Sequence, residues 1–216
     1  MKGNNIHTKE IFERAYGNRD WNWYRYLVAE CIKYGMPGKW LDLGAGLGLF
    51  VECARRFGIA CIGLEGSEWA VSEAKKRFPN MDIRQHFLED ELPFRDNSIS
   101  TIMCHQVIEH IHKETTTFIL KECYRVLEPE GRLFIYSPSK YDRNQRSKET
   151  HINLYTPKLL KMELENIGFR VIASPNSPRN ISANFQIGKY IMQLIYKLFP
   201  LDYLSATANC IAVKSW

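Results

Sequence analysis

The sequence lacks the features of a secreted or membrane-spanning chain. No apolar run follows the charged residues near its start, so we expect no signal peptide, and no uninterrupted apolar stretch is long enough to cross a bilayer. None of its six cysteines forms a C-x-x-C pair, and most lie in apolar surroundings. We therefore expect a cytoplasmic protein whose cysteines are reduced and buried, with no metal site.

The sequence also lacks a strong charge imbalance. Its net charge of +5 is too small to indicate nucleic-acid binding by itself, although it weakly favours anionic partners. Apolar residues at 45% and charged residues at 25% are ordinary for a globular protein, and no internal repeat or low-complexity tract appears. The length of 216 residues suits one α/β domain, or one domain with a small cap.

Three closely spaced glycines follow an apolar stretch early in the chain. Residues 39–43 are mostly apolar, and Gly44, Gly46 and Gly48 follow with G-x-G-x-G spacing. This pattern predicts a buried strand, a tight turn and a helix whose first N–H groups face a ligand. A dinucleotide-binding turn would have its third glycine at the position of Leu49. An ordinary glycine-rich turn is the alternative interpretation.

An acidic residue lies at a suitable distance from this turn. The second predicted strand, residues 60–64, leads directly to Glu65, which is 21 positions after Gly44. In Rossmann-type folds an acid about 20 residues further on holds the ribose of a nucleotide cofactor. A carboxylate suits a ribose diol because it accepts hydrogen bonds and donates none. The turn and the acid together predict a nucleoside-cofactor site.

Strands and helices alternate along the chain. Such alternation predicts a doubly wound parallel sheet with helices on both faces, and ligands bind such sheets beyond the carboxyl ends of the strands. The predicted strands are residues 39–44, 60–64, 82–87, 99–104, 132–137, 169–173 and 210–213, and the main helices are residues 47–57, 68–78, 114–127 and 157–167.

The chain from about residue 39 to residue 171 resembles the class I S-adenosylmethionine-dependent methyltransferases. The motifs that carry the resemblance are LDLGAGLG at 41–48, GLEGS at 63–67, ELPFRDNSIS at 91–100, HQVIEHI at 105–111, ECYRVLEPEGRLFIYSP at 122–138, HINLYTPKLL at 151–160 and ENIGFRV at 165–171. They are most similar to the small bacterial-type branch, whose members methylate many small molecules. The resemblance implies a mostly parallel seven-stranded sheet with an antiparallel last strand. One departure is Ser100, where the family usually has aspartate.

The resemblance implies S-adenosylmethionine as the cofactor. We expect Asp42 to order the glycine turn by accepting backbone N–H bonds. The aromatic segment at residues 1–38 is expected to be helical and to fold over the cofactor as a lid, in which Arg25 is either paired with the methionine carboxylate or a solvated surface residue. The expected cofactor-binding residues are Asp42, Gly44, Ala45, Gly46, Gly48, Glu65, Gly66, Ser67, Leu88, Glu89, His105, Tyr16 and Arg25.

Three histidines are the catalytic candidates. His105 follows the fourth predicted strand, and the resemblance places it near the methionine part of the cofactor, where it is either a base or contributes only its backbone. His110 lies just beyond it, beside Glu109, in a pair that is often structural in the resembled branch. His151 lies in the long stretch after the fifth strand, where the family places substrate-facing residues.

A cationic loop, residues 140–148, lies next to His151 in the sequence. It is either solvated surface or a rim that binds a phosphate or carboxylate of the substrate. Its charged residues are Lys140, Arg143, Arg146 and Lys148, against the single acid Asp142.

An amphipathic helical insert is predicted at residues 183–204, within a cofactor-binding domain that spans residues 39–216. Its broad apolar face either packs in the core or covers an apolar substrate, a second subunit or a membrane surface. We favour the interpretation that it covers the acceptor side of the pocket, opposite the aromatic N-terminal segment.

The predicted function is methyl transfer to an oxygen or nitrogen atom of a small, anionic metabolite, which a glycan or a lipid could carry. The alternatives are a methyltransferase that acts on RNA and a cofactor-binding module without catalysis. A nicotinamide oxidoreductase is disfavoured by Leu49. We expect a small-molecule partner rather than nucleic acid, no transmembrane segment, and a monomer or a homodimer.

Overall fold

Seven strands form one sheet at the centre of the structure, a computed structural model that describes residues 21–176, 196 and 202–215. The strands are β1 (Trp40–Leu43), β2 (Cys61–Glu65), β3 (Asp82–Gln85), β4 (Ile99–His105), β5 (Leu127–Pro138), β6 (Phe169–Ala173) and β7 (Thr207–Lys214). The α-helices are α1 (Trp21–Tyr34), α2 (Leu49–Arg56), α3 (Glu68–Arg77), α4 (Lys113–Val126), α5 (Arg143–Arg146) and α6 (Pro157–Ile167), with short 3₁₀ helices at Ile108–His110 and Asp202–Leu204.

The strand order across the sheet is β3-β2-β1-β4-β5-β7-β6. The first five strands pair in parallel, whereas β7 runs antiparallel to both β5 and β6. This arrangement confirms the predicted fold class, including the antiparallel last strand. The chain reverses its direction of winding between β1 and β4, which is the switch point where doubly wound sheets bind ligands.

Alternating side chains of β1 pack into two cores, one on each face of the sheet. Trp40 joins a cluster with residues of α1, α2 and α3, among them Leu27 and Phe50. Leu41 joins the other cluster, with residues of α4 and α6 such as Leu120. Because helices cover both faces, every residue of this strand is buried, as is typical of a central parallel strand.

Several element boundaries differ from the prediction, among them those of α2 and β5. Helix α2 begins at Leu49 rather than at residue 47, because Gly48 has a left-handed backbone (φ 72°) and caps the helix. Strand β5 is longer than the predicted residues 132–137, since Leu127 already pairs with Ile99 of β4. A proline and a glycine in this stretch favour an irregular backbone, and Glu130 between them has a φ of 63°.

Helix α1 packs on the sheet through one face. Leu27, Val28 and Cys31 are fully buried, so this part of the predicted N-terminal segment belongs to the core. Residues 1–20 and most of the predicted insert at residues 183–204 lie outside the described residues, and the predicted division into lid, domain and insert stays a prediction. In the part of the chain that the structure describes, no helix has the length and apolar character needed to cross a membrane.

Candidate active site

The glycine-rich turn joins β1 to α2 in a conformation that favours glycine. Gly44, Gly46 and Gly48 have φ values of 68°, 54° and 72°, which other residues rarely adopt. The N–H groups of Gly44 and Ala45 both donate to the carbonyl of Leu64 at 2.9 Å. These bonds fasten the turn to the end of β2, so the two predicted cofactor segments lie side by side.

Two of these glycines also leave no room for a side chain. A Cβ atom added at Gly44 would lie 2.5 Å from Val107, in the segment after β4. A Cβ atom added at Gly48 would overlap the end of the Met81 side chain. The turn therefore packs closely against its surroundings as well as offering backbone to a ligand.

Glu65, at the end of β2, links two backbone turns. Its side chain is buried, with Oε2 accepting from the Gly46 N–H at 2.9 Å and Oε1 accepting from the Ser67 N–H at 2.8 Å. Because a carboxylate has about four acceptor positions, these bonds are compatible with the predicted contact to a ribose. The contact with a ribose stays a prediction, and the role of Glu65 in holding the glycine turn has no signal in the sequence.

Asp42 of β1 is a second buried acid at this edge of the sheet. Burial, together with the charge of Glu65, raises the pKa of Asp42 well above its ordinary value. Among the hydrogen bonds of the described residues, none reaches the Asp42 carboxylate. Asp42 was expected to order the glycine turn by accepting backbone N–H bonds. This expectation is not met, because Glu65 accepts the bond from the Gly46 N–H instead.

The loop after β3 lies against the turn after β2. The N–H of His86 donates to the Glu65 carbonyl at 2.9 Å. In this loop Leu88 is half-buried against the core and Glu89 is exposed. Their predicted contacts with the cofactor stay predictions. The predicted residues that the structure places at this one edge of the sheet are Asp42, Gly44, Ala45, Gly46, Gly48, Glu65, Gly66, Ser67 and Leu88.

His105 is the last residue of β4, and its ring lies among aromatic side chains. Its ring centroid is 5.9 Å from that of Trp23 in α1 and 6.3 Å from that of Tyr136 in β5. The next residue, Gln106, has a φ of 59° and donates its N–H to the Tyr136 carbonyl at 2.8 Å. Left-handed backbone at a non-glycine residue is often found at ligand sites. The cofactor and catalytic roles of His105 stay predictions.

His110 and His151 meet in the structure although 41 positions separate them in the sequence. Their ring centroids are 4.9 Å apart in an edge-on arrangement, and His110 Nδ1 lies 2.9 Å from the carbonyl of Thr150. Glu109 is fully buried, and its Oε2 accepts from the Ser137 hydroxyl at 3.1 Å. Two of the three predicted catalytic histidines are thus neighbours, and a buried acid adjoins them.

The environment of His151 keeps its ring uncharged at neutral pH. Burial, the neighbouring His110 and the charge of Lys148 lower the pKa of His151 to about 4. A general base works best when its pKa is near the operating pH, so this ring is a weak base. It is better suited to accept a hydrogen bond or to bind a metal than to remove a proton from an acceptor.

The predicted cationic loop contains the short helix α5. Asp142 begins this helix by accepting from the Asn144 N–H at 3.0 Å. Within the described residues, no ion pair involves the four cationic side chains of the loop, and all four are exposed. These side chains are Lys140, Arg143, Arg146 and Lys148.

Of the two residues predicted to act from the lid, the structure describes only one. Arg25 is exposed on α1, and Tyr16 lies outside the described residues. The predicted pairing of Arg25 with the methionine carboxylate stays a prediction. The aromatic side chain that α1 does bring to the end of β4 is Trp23, which is 43% exposed.

The geometry defines the class of this protein as a Rossmann-like, nucleoside-cofactor-binding fold, and comparison with known proteins gives the family. Residues 41–135 match the family described as "Methyltransferase domain". A protein of Mycolicibacterium smegmatis named as a probable S-adenosylmethionine-dependent methyltransferase is 34% identical over 153 residues, which are 68% of this chain and 56% of that protein. The mitochondrial ubiquinone biosynthesis O-methyltransferase of rat is 29% identical over 109 residues, which are 47% of this chain and 31% of that protein.

Solved structures share the fold across nearly the whole chain. A methyltransferase structure from Archaeoglobus fulgidus, described as dependent on S-adenosylmethionine, has a TM-score of 0.70 at 18% identity, covering 95% of this chain and 99% of the other. Phosphoethanolamine N-methyltransferase 2 of Haemonchus contortus, in complex with S-adenosyl-L-methionine, has a TM-score of 0.73 at 18% identity, covering 99% of this chain and 59% of the other.

The chain belongs to the class I S-adenosylmethionine-dependent methyltransferases, which confirms the predicted family and the cofactor that the family uses. It spans about half the length of the curated relatives that it matches. The activity of this particular protein, its acceptor and its partners are therefore matters for proposal.

Proposed function

We propose that this protein binds S-adenosylmethionine and transfers its methyl group to an oxygen or nitrogen atom of a small, anionic acceptor. The observation that carries the proposal is the glycine turn, which Glu65 fastens at the switch point between β1 and β4. Doubly wound sheets bind their ligands at this point. The fold in which the turn lies is shared with known methyltransferases.

The groups at this edge suit the chemistry of the cofactor. S-Adenosylmethionine has a ribose diol, which a carboxylate such as Glu65 can bind by accepting hydrogen bonds. It also has a positively charged sulfonium, which would favour the ionised form of the buried acid Asp42 by opposite charge. The absence of a Cβ atom at Gly46 allows a ligand to approach the backbone.

The bound cofactor supplies a methyl group that is already activated for transfer. The residues of this chain have therefore mainly to position the acceptor and to keep water away. We assign the acceptor side to the end of β4, where His105 lies between Trp23 and Tyr136. His105 is the residue of this group that could remove a proton from the acceptor.

The cationic loop supports an anionic acceptor. Its four exposed cations lie in the segment between β5 and His151, and Asp142 is already engaged at the start of α5. Arginine and lysine are the usual ligands of phosphate and carboxylate groups. Relatives named as ubiquinone biosynthesis O-methyltransferases favour oxygen over nitrogen as the acceptor atom.

The test combines cofactor binding with a search for the acceptor. Calorimetry measures S-adenosylmethionine binding, and a screen of metabolite pools for methyl-donor consumption identifies the acceptor. With that acceptor, Arg143→Glu combined with Arg146→Glu should raise KM by roughly tenfold or more, since two exposed charge contacts of up to about 1 kcal/mol each become repulsive. Cofactor affinity should not change.

The matched control reverses the same amount of charge elsewhere. Lys75 and Arg77 are exposed in the last turn of α3, so Lys75→Glu combined with Arg77→Glu should leave KM unchanged. Equal KM values for the parent and the loop variant would mean that the loop does not bind the acceptor. Activity only on RNA, with steep salt dependence, would replace the small-molecule acceptor by a nucleic acid.

A further inference from the structure

Three potential metal ligands converge where the segment after β4 meets the segment after β5. Glu109, His110 and His151 each offer one ligand atom, and these atoms all lie within 4.8 Å of one another. A zinc ion with nitrogen and oxygen ligands at about 2.0–2.2 Å would hold those atoms roughly 3–4 Å apart. The cluster therefore needs only small side-chain movements to surround an ion.

We propose that Glu109, His110 and His151 form a binding site for a divalent transition-metal ion of the zinc type. Two imidazoles and one carboxylate are a ligand set that zinc uses when it keeps a coordination position open for water or substrate. The same set would accept other divalent first-row metals, because imidazole binds several of them well.

The histidine of the first segment is oriented for this role. His110 Nδ1 lies 2.9 Å from the Thr150 carbonyl, which can only accept, so Nδ1 has the proton and Nε2 has the lone pair. Metal-binding histidines usually donate their second N–H to such an oxygen, which fixes the ring and its tautomer. His110 therefore presents Nε2 as the ligand atom.

The other two ligands are also held in place. The Glu109 carbonyl accepts from the N–H groups of Ile152 and Asn153 at 2.9 and 3.2 Å, which ties the segment of His151 to the segment of Glu109. The Ser137 hydroxyl donates to Glu109 Oε2 at 3.1 Å. His151 Nδ1 is buried and has no hydrogen-bond partner within the described residues, so its lone pair or proton lacks a protein group to satisfy it.

One nearby group opposes a cation. The charge of Lys148 reaches His151, and it would repel a metal ion there, whereas the buried carboxylate of Glu109 would attract one. This opposition gives a distinctive expectation. Lys148→Gln should tighten metal binding at this cluster. Metal bound by surface groups far from Lys148 would keep the same affinity.

A role for the metal in methyl transfer rests on the proposed function, but the binding site itself does not. The cluster lies beyond the carboxyl ends of β4 and β5, on the side assigned to the acceptor. An open coordination position there would suit an oxygen atom of the acceptor, whose proton a zinc-type ion makes easier to remove.

The test measures metal binding directly. Protein freed of metal by chelation is titrated with Zn²⁺ by calorimetry and with Co²⁺ by visible absorption, which reports four- or five-coordinate geometry. We expect one tightly bound equivalent of either metal. Because loss of a supporting contact alone costs about 10–100-fold in affinity, His151→Ala and Glu109→Gln should each cost at least that much.

The matched control is His112, an exposed histidine two positions from His110, whose side chain makes no cap bond at the start of α4. His112→Ala should bind Zn²⁺ as the parent does. Unchanged Zn²⁺ affinity in His151→Ala and Glu109→Gln would overturn the proposal, and so would a parent protein that binds no metal. Circular dichroism checks the fold of each variant, and His151→Asn replaces His151→Ala if the latter unfolds.

The two proposals fail separately. A parent protein that binds S-adenosylmethionine but neither Zn²⁺ nor Co²⁺ contradicts the metal site and leaves the proposed function intact. A parent protein that binds Zn²⁺ through His151 but does not bind S-adenosylmethionine confirms the metal site and contradicts the proposed function.

Discussion

Replacing Glu65 by glutamine tests how the cofactor turn is held together. Glu65 accepts from the N–H groups of Gly46 and Ser67 through its two carboxylate oxygens. Glutamine has the same shape, but one of those oxygens becomes an NH₂ group, which cannot accept. One buried backbone N–H will then face a donor, so the turn should lose one charged hydrogen bond.

The expected size of the effect follows from that single lost bond. A hydrogen bond to a charged group contributes about 1.5–3 kcal/mol, and the free energy of unfolding should fall by that amount in Glu65→Gln. For a protein of this size about 2–4 °C of Tm corresponds to each kcal/mol, so Tm should fall by about 3–12 °C. If the carboxylate also binds the ribose, affinity for S-adenosylmethionine should fall by about 10–100-fold.

The assay is urea and thermal unfolding followed by calorimetric titration with S-adenosylmethionine. The control is Glu73→Gln, because Glu73 pairs with Lys76 at 2.7 Å on the exposed side of α3 and such pairs contribute about 0.2–1 kcal/mol. A Glu65→Gln protein as stable as Glu73→Gln would refute the structural role of Glu65. If Glu65→Gln loses the expected stability but binds S-adenosylmethionine as the parent does, only the ribose contact is refuted.

Three further predictions concern the same region and the insert. Gly48→Ala should lower the free energy of unfolding by at least about 1–2 kcal/mol because of its left-handed backbone. Met81→Ala lowers stability by itself, since Met81 is buried, so urea unfolding of both single variants and the double variant should show a coupling that accounts only for the overlap. Burial raises the folded-state pKa of Asp42 above its unfolded value, so ionisation of Asp42 destabilises the fold as pH rises through that window. Asp42→Asn should therefore gain stability relative to the parent as pH rises from about 4, and a gain that shrinks with pH would contradict the argument. Deletion of residues 184–204 should spare cofactor binding and abolish methyl transfer, whereas outright unfolding would mean that the insert is core.

The strands and helices could be predicted because each element has a local signal, whereas the antiparallel last strand followed only from the resemblance to the family. The apolar run before Gly44 and the spacing to Glu65 indicate consecutive buried strands, and the alternation of strands and helices indicates a parallel sheet. Boundaries were less predictable, because they depend on contacts between segments. The start of β5 at Leu127 follows from pairing with Ile99, which no local pattern encodes.

The site could be predicted only where its residues are close in the sequence. Spacing identified the glycine turn and Glu65, but the hydrogen bonds from Gly46 and Ser67 to Glu65 depend on how the two turns face each other. The meeting of His110 with His151 had no signal, since it depends on the path of the chain after β5. The expectation of no metal site was based on the spacing of the cysteines alone and took no account of these histidines.

The most direct test of the central claim is calorimetric titration of the parent protein with S-adenosylmethionine and, separately, with NAD. We expect saturable binding of S-adenosylmethionine at one site and no binding of NAD, because Leu49 replaces the third glycine that a dinucleotide turn needs and Glu65 adjoins the turn that is present. Tight binding of NAD without binding of S-adenosylmethionine would contradict it.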